Sequence, residues 1–136
     1  MYQNLAKVNN YLVSDKLGHS YSKIIHNLFG VNYELKEIDK ARLDFDFGFI
    51  NITIPFKSDY PRLADELSLD VKESGSCNLI VKKNKKYYAY NTDIEGIDYT
   101  FKLNKIDLNH KKIVILGCGA TSRTLKIGRA SCRERV

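Results

Sequence analysis

Short apolar runs alternate along this chain with stretches whose apolar residues recur at helical spacing, and no other feature narrows the fold as far. Runs rich in β-branched and aromatic residues suit strands, whereas apolar residues at i, i+3 and i+4 mark one face of a helix. Strand signals interleaved with helix signals predict an α/β domain, a mostly parallel sheet flanked by helices. Tyr11 to Val13 is the expected first strand, and a polar loop follows through Ser20. Ser22 is placed to cap a helix carrying Ile24, Ile25, Leu28 and Phe29, which Gly30 ends. Tyr33 to Ile38 alternates as a strand does, and Phe47 to Ile54 is a second, more buried strand rich in β-formers.

Pro55 stops that strand, and a helix is expected from about Ser58 to Leu67. Cys77 to Val81 and Tyr87 to Tyr90 bracket KKNKK, which reads as a turn between two strands. Asp93 stands at the N-cap of a helix bearing Ile94, Ile97, Phe101 and Leu103. The apolar run Ile113 to Leu116, an expected strand, then leads straight into GCGATS. These signals place one domain over residues 1–104 and the start of a second over 105–126, with the boundary near Asn104 to His110. From Ile127 the chain reads IGRASCRERV, where a glycine and three arginines replace an apolar stripe. That string resembles the translation of a common sequencing adapter, so 127–136 is expected to be an artefact tail and is set apart from the fold.

Composition excludes several classes. Hydrophobic residues at 43% and charged ones at 28% are ordinary globular values, so disorder is not expected. No apolar run approaches the roughly 18 residues that cross a bilayer, and the N-terminus lacks a secretory core, so a cytoplasmic protein without membrane contact is expected. Three scattered cysteines, Cys77, Cys118 and Cys132, read as reduced thiols, and with three histidines no metal site is expected. The formal charge of +6 sits largely at turns, as in Lys82, Lys83, Lys85 and Lys86, and no aromatic-interleaved basic motif accompanies it. Nucleic acid is therefore not an expected partner.

Four strings carry chemistry. In NITIPFK (Asn51 to Lys57), an apolar strand delivers Thr53, breaks at Pro55 and throws Lys57 out beyond the strand's carboxyl end, where α/β sheets bind ligands. A lysine held there can act in proton transfer if a partner and partial desolvation control its protonation. Taken alone, Lys57 is more commonly an exposed surface lysine. In NTD (Asn91 to Asp93) all three residues are also ordinary helix caps. In His19-Ser20-Tyr21-Ser22 the two hydroxyls suit either a ligand or a cap, and in GSCN Asn78 enters a strand, which is unusual without being diagnostic.

In order, HSYSKIIHN, NITIPFK, GSCNLI and YNTD, followed by a glycine loop after an apolar run, resemble the shikimate dehydrogenase family. The resemblance covers roughly Lys16 to Leu125. It implies a shikimate-binding catalytic domain and the first strand and glycine loop of an incomplete, NADP-binding Rossmann domain. It also implies an NADPH-dependent reduction of 3-dehydroshikimate to shikimate, a step toward aromatic amino acids. By the same resemblance Lys57 and Asp93 are the catalytic pair, Ser20 and Ser22 bind the substrate carboxylate, and Asn51, Thr53 and Asn78 bind elsewhere on the substrate. Physical chemistry agrees with such a set. A small hydroxylated anion needs fixed donors, hydroxyls beside a helix N-terminus suit a carboxylate, and an ammonium stabilises oxygen gaining charge from a hydride. Lys16 and Lys23 stand where the family commonly has proline, and Leu79 where threonine usually follows the asparagine.

Gly117-Cys118-Gly119-Ala120-Thr121-Ser122 follows the apolar run and opens a helix, the setting of a dinucleotide fingerprint. Gly117 allows the tight turn, Gly119 a close approach of backbone to pyrophosphate, and Ser122 is small enough for helix packing. Gly117, Gly119, Ala120, Thr121 and Ser122 are thus the cofactor-binding candidates, and the choice of NADP rests on the resemblance. The full enzyme is expected to be about twice this length, the 136-residue chain by itself is expected to be inactive, and the resemblance allows a homodimer. Two rival readings are a quinate/shikimate dehydrogenase and a stand-alone shikimate-binding module without catalysis. A methylene-tetrahydrofolate dehydrogenase shares the two-domain plan but not the order of NITIPFK and YNTD.

Overall fold

A computed structural model describes residues 7–18 and 20–133, with side chains described as far as Lys126. His19, in the serine string, lies outside the described residues. The strands are β1 (Asn10–Ser14), β2 (Tyr33–Glu37), β3 (Phe49–Ile52), β4 (Glu66–Leu67), β5 (Leu79–Lys83) and β6 (Lys86–Tyr90). The α-helices are α1 (Ser22–Leu28), α2 (Leu69–Ser74), α3 (Asp93–Leu103) and α4 (Ala120–Arg133). None of the described helices is long and apolar enough to cross a membrane.

The strands form a single six-stranded sheet in the order β2-β1-β3-β5-β6-β4. β1 runs parallel to both β2 and β3, and β4 runs parallel to β6. β5 is antiparallel to both β3 and β6, so the sheet is mixed: β5 alone runs against the other strands, and the predicted mostly parallel sheet holds for the rest. The cause is the hairpin between β5 and β6. Lys83 pairs with Lys86, and the two residues between them, Asn84 and Lys85, take positive φ values of 52° and 63°. Two successive left-handed residues make a type I′ turn, whose twist matches that of the strands it joins. A turn this short can return the chain only antiparallel.

The core lies beneath the central strands. Val13, Ile50 and Ile80 are fully buried at the middle of β1, β3 and β5, with Phe47, Tyr60, Val71 and Cys77 packed around them. A smaller cluster joins Leu12 of β1, Leu17 of the loop after it and Tyr33 of β2. Gly48 is required by crowding, since a Cβ there would stand 2.9 Å from Asn10 Oδ1. That oxygen already accepts the Phe49 N–H at 2.9 Å, which fixes the start of β3.

Several expectations need correction. No helix spans Ser58 to Leu67; two short 3₁₀ turns, Phe56–Ser58 and Tyr60–Leu63, are followed by β4. Pro61 lacks an N–H for a continuous helical ladder, and the Asp65 and Ser68 N–H groups are drawn instead to Tyr87 O and Ala89 O of β6. The helix comes later, as α2, where Ser68 Oγ caps the Val71 N–H and Gly75 at φ 63° closes the other end. Ser22 is the first residue of α1 rather than its cap, Tyr21 taking that place. Likewise Thr92 caps α3, and Asp93 is the first helical residue. Ile113 to Leu116 does not form a strand, and Val114 and Leu116 are 81% and 94% exposed. A strand is held by the ladder of a neighbour, and among the described residues none pairs with this segment. α4 continues to Arg133, past the change of composition at Ile127.

Two predictions follow from the turn and from α1. Lys85→Gly removes a side chain from a left-handed position and is expected to raise stability by about 1 kcal/mol in urea unfolding. An unchanged or lower midpoint would contradict the I′ geometry. His26 on α1 stacks on the buried Tyr33 ring at 4.0 Å, and burial lowers its pKa from 6.5. The unfolded chain then takes up the proton first, so this contribution is complete above pH 6.5 and is lost as pH falls through that value. His26→Phe should flatten the loss of stability as pH falls below 6.5; an unaltered slope would assign it to other groups.

Candidate active site

The strand directions bring four loops to one edge of the sheet. β1 and β3 are parallel, so the loops after Ser14 and after Ile52 leave from the same side. β5 is antiparallel to β3, with Asn51 opposite Leu79, so the start of β5 lies beside the end of β3. β6 reverses again, with Tyr90 opposite Leu79, so its end and the start of α3 reach that edge too. Ser20, Thr53, Lys57, Asn78 and Asp93 all follow or precede these strand ends.

Local bonds fix the pieces to one another. Ile52 N–H donates to Asn78 O and Cys77 N–H to Lys57 O, each at 2.8 Å, which ties the turn carrying Lys57 to the entry of β5. Ser14, buried at the end of β1, donates its hydroxyl to Ile54 O at 2.5 Å and so anchors the start of the same turn. Thr53 is held by backbone bonds, its N–H donating to Val13 O at 3.2 Å and its carbonyl accepting from Phe56 N–H at 3.1 Å.

Lys57 and Asp93, 36 residues apart, meet at the centre of this edge. Lys57 Nζ donates to Asp93 Oδ2 at 2.5 Å, with the two side chains 15% and 26% exposed. The other carboxylate oxygen, Oδ1, accepts from Asn78 Nδ2 at 2.8 Å, and Asn78 Oδ1 accepts the Thr92 N–H at 2.9 Å. Asp93 at the first turn of α3 also faces that helix's free N–H groups, a favourable place for a carboxylate. An ammonium, a carboxylate and a carboxamide in one bonded row can hand a proton on and can hold hydroxyls by donor and acceptor at once.

The remaining candidates have bonds of their own. Asn51 accepts the Tyr33 hydroxyl at 2.8 Å through Oδ1. Ser20 Oγ accepts the Ser22 N–H at 3.2 Å, and both serines are half-buried at the start of α1. Gly117 takes φ 122°, a conformation suited to glycine, and Gly119 precedes α4, with Ser122 Oγ donating back to Gly119 O at 2.7 Å. A positive-φ glycine followed by the open amides of a long helix fits a pyrophosphate, and nothing of the protein lies within 4 Å of a Cβ built at either glycine.

Two supporting residues escape a reading of the sequence. Asn91 is 3% exposed; its Oδ1 accepts the Asp93 N–H at 3.2 Å, and its Nδ2 donates to Ser74 Oγ and Thr124 Oγ1 at 3.1 and 3.0 Å. Arg123 donates to Ser58 Oγ at 2.6 Å and to Ser74 O at 3.1 Å. Together they seat α4 against the turn that carries Lys57 and the cap of α3. Asn91 stands within the NTD string, which was its one signal; Arg123 had none. Cys77, next to Asn78, is fully buried, and burial pushes its thiol up to about 12 against the opposing charge of Lys57, so it is an inert packing group.

No protein-family profile matches the chain. Shikimate dehydrogenase (NADP(+)) of Caldicellulosiruptor saccharolyticus is 34% identical over 134 residues, covering 87% of this chain and 48% of that protein. The crystal structure of shikimate dehydrogenase 1 from Peptoclostridium difficile superposes with a TM-score of 0.76 at 27% identity, over 90% of this chain and 52% of that one. A Thermus thermophilus shikimate 5-dehydrogenase solved with shikimate shares the fold, with a TM-score of 0.79 at 20% identity over 92% of this chain and 53% of that one. The chain thus spans about half the length of the relatives it matches. Sequence and fold agree over the same stretch, and the chain belongs to the shikimate dehydrogenase family.

Proposed function

We propose that the protein to which this chain belongs reduces 3-dehydroshikimate to shikimate with NADPH, and that residues 1–104 hold the substrate. The observation that carries this reading is the bonded row Lys57–Asp93–Asn78 at the strand-end edge of the sheet. NADPH, when bound, supplies the hydride. Lys57 delivers the proton to the oxygen that gains charge, and Asp93 orients the ammonium and takes part in replacing its proton. Asn78 holds ring hydroxyls, Asn51 and Thr53 flank the substrate, and Ser20 with Ser22 receives its carboxylate at the start of α1. Gly117, Gly119, Ala120, Thr121 and Ser122 would hold the cofactor's pyrophosphate. The name of the relative from Caldicellulosiruptor saccharolyticus supports NADP as the cofactor.

The 136-residue chain alone is proposed to bind shikimate without turning it over. In the full-length enzyme, Lys57→Ala should lower kcat by about 10²- to 10⁴-fold and leave the shikimate Kd nearly unchanged. Near-normal kcat in that variant would remove Lys57 from the proton-transfer step. Replacing Ser20 and Ser22 together by alanine should mainly raise KM, because a carboxylate far from the reacting carbon is bound alike in ground and transition states. A selective fall in kcat, seen as slower NADPH consumption at saturating substrate, would contradict that role.

A further inference from the structure

Asn51 has a buried hydrogen-bond partner on β2. Tyr33, the first residue of β2, is fully buried, and its ring is clamped between His26 at 4.0 Å and Phe49 at 5.9 Å. Its backbone N–H donates to Asn27 Oδ1 at 3.1 Å, so both the ring and its backbone are fixed. The hydroxyl at the end of that ring donates to Asn51 Oδ1 at 2.8 Å. A carboxamide has one accepting end and one donating end, and a half-turn exchanges them. Were Asn51 reversed, Nδ2 would face the tyrosine hydroxyl, and the hydroxyl proton would lose its acceptor in apolar surroundings. A buried donor left unmade carries its full desolvation cost. The hydroxyl therefore holds the oxygen end and turns Nδ2 away from Tyr33.

We propose that Tyr33 is a positioning residue that makes Asn51 a hydrogen-bond donor toward the ligand, and so selects an oxygen acceptor at that point of the site. The inference rests on the proposed binding of a hydroxylated carboxylic acid. It names a determinant that never touches the ligand. Without the tyrosine hydroxyl, Asn51 can present either end, and the ligand must select one.

Tyr33→Phe tests this, because it keeps the ring and its stacking and deletes one oxygen. In the 136-residue chain, titrated with shikimate, the variant is expected to weaken binding about tenfold. In isotope-labelled protein the Asn51 side-chain carbonyl resonance should move upfield as it loses its donor. Asn51→Ala should also weaken binding, and adding Tyr33→Phe to it should weaken binding no further, since the tyrosine acts only through Asn51. A purely structural tyrosine would cost the same in both backgrounds, and that additive result would overturn the inference. So would wild-type affinity in Tyr33→Phe, or an unmoved carbonyl resonance. If the unaltered chain binds no shikimate, the proposed binding is what fails, and the resonance alone then decides the orientation of Asn51.

Discussion

The Lys57–Asp93 ion pair depends on one strand running against its neighbour. Lys57 follows β3, and Asp93 follows β6, two places along in the sheet. Because β5 lies antiparallel between them, the chain reverses twice and the two strands end at the same edge. An all-parallel order would also end there, but only with a long crossover between neighbours; the two-residue turn at Asn84 and Lys85 does it locally. The pair is then kept partly from water, where its attraction is screened less than that of the exposed pairs elsewhere on the chain.

Around that pair the polar groups are satisfied in sequence, each oriented by the next. Asp93 is held by Lys57 and Asn78, Asn78 by Thr92, and the Asp93 backbone by Asn91. Among the described residues no buried side-chain nitrogen or oxygen lacks a partner. Such a network fixes each carboxamide's two ends, so the site offers donors and acceptors in set places before any ligand arrives. Asn91 extends the network through Thr124 into the helix after the glycine loop, so the loop and the Lys57 turn share a common support.

Strand positions were legible because short runs of β-branched and aromatic residues mark β1, β2, β3, β5 and β6, each within a few residues of its expected place. Sheet direction was less so, since alternation marks a strand without saying which way its neighbour runs. The segment from Ser58 to Leu67 has apolar residues at helical spacing, yet Pro61 and the pull of β6 on Asp65 and Ser68 decide otherwise. The polar strings at strand ends marked Lys57, Asn78 and Asp93 only in combination, because each residue alone has an ordinary surface or capping role. Tyr33 gave no such sign: a tyrosine opening a strand is ordinary, and only its hydroxyl's partner gives it meaning.

The segment Ile113–Leu116 leaves apolar side chains and a run of peptide groups facing water at once. A backbone in that condition is a template for any extended chain that meets it, including the same segment of a neighbouring molecule. In the 136-residue chain, charged substitutions at Val114 or Leu116 would interrupt that apolar edge.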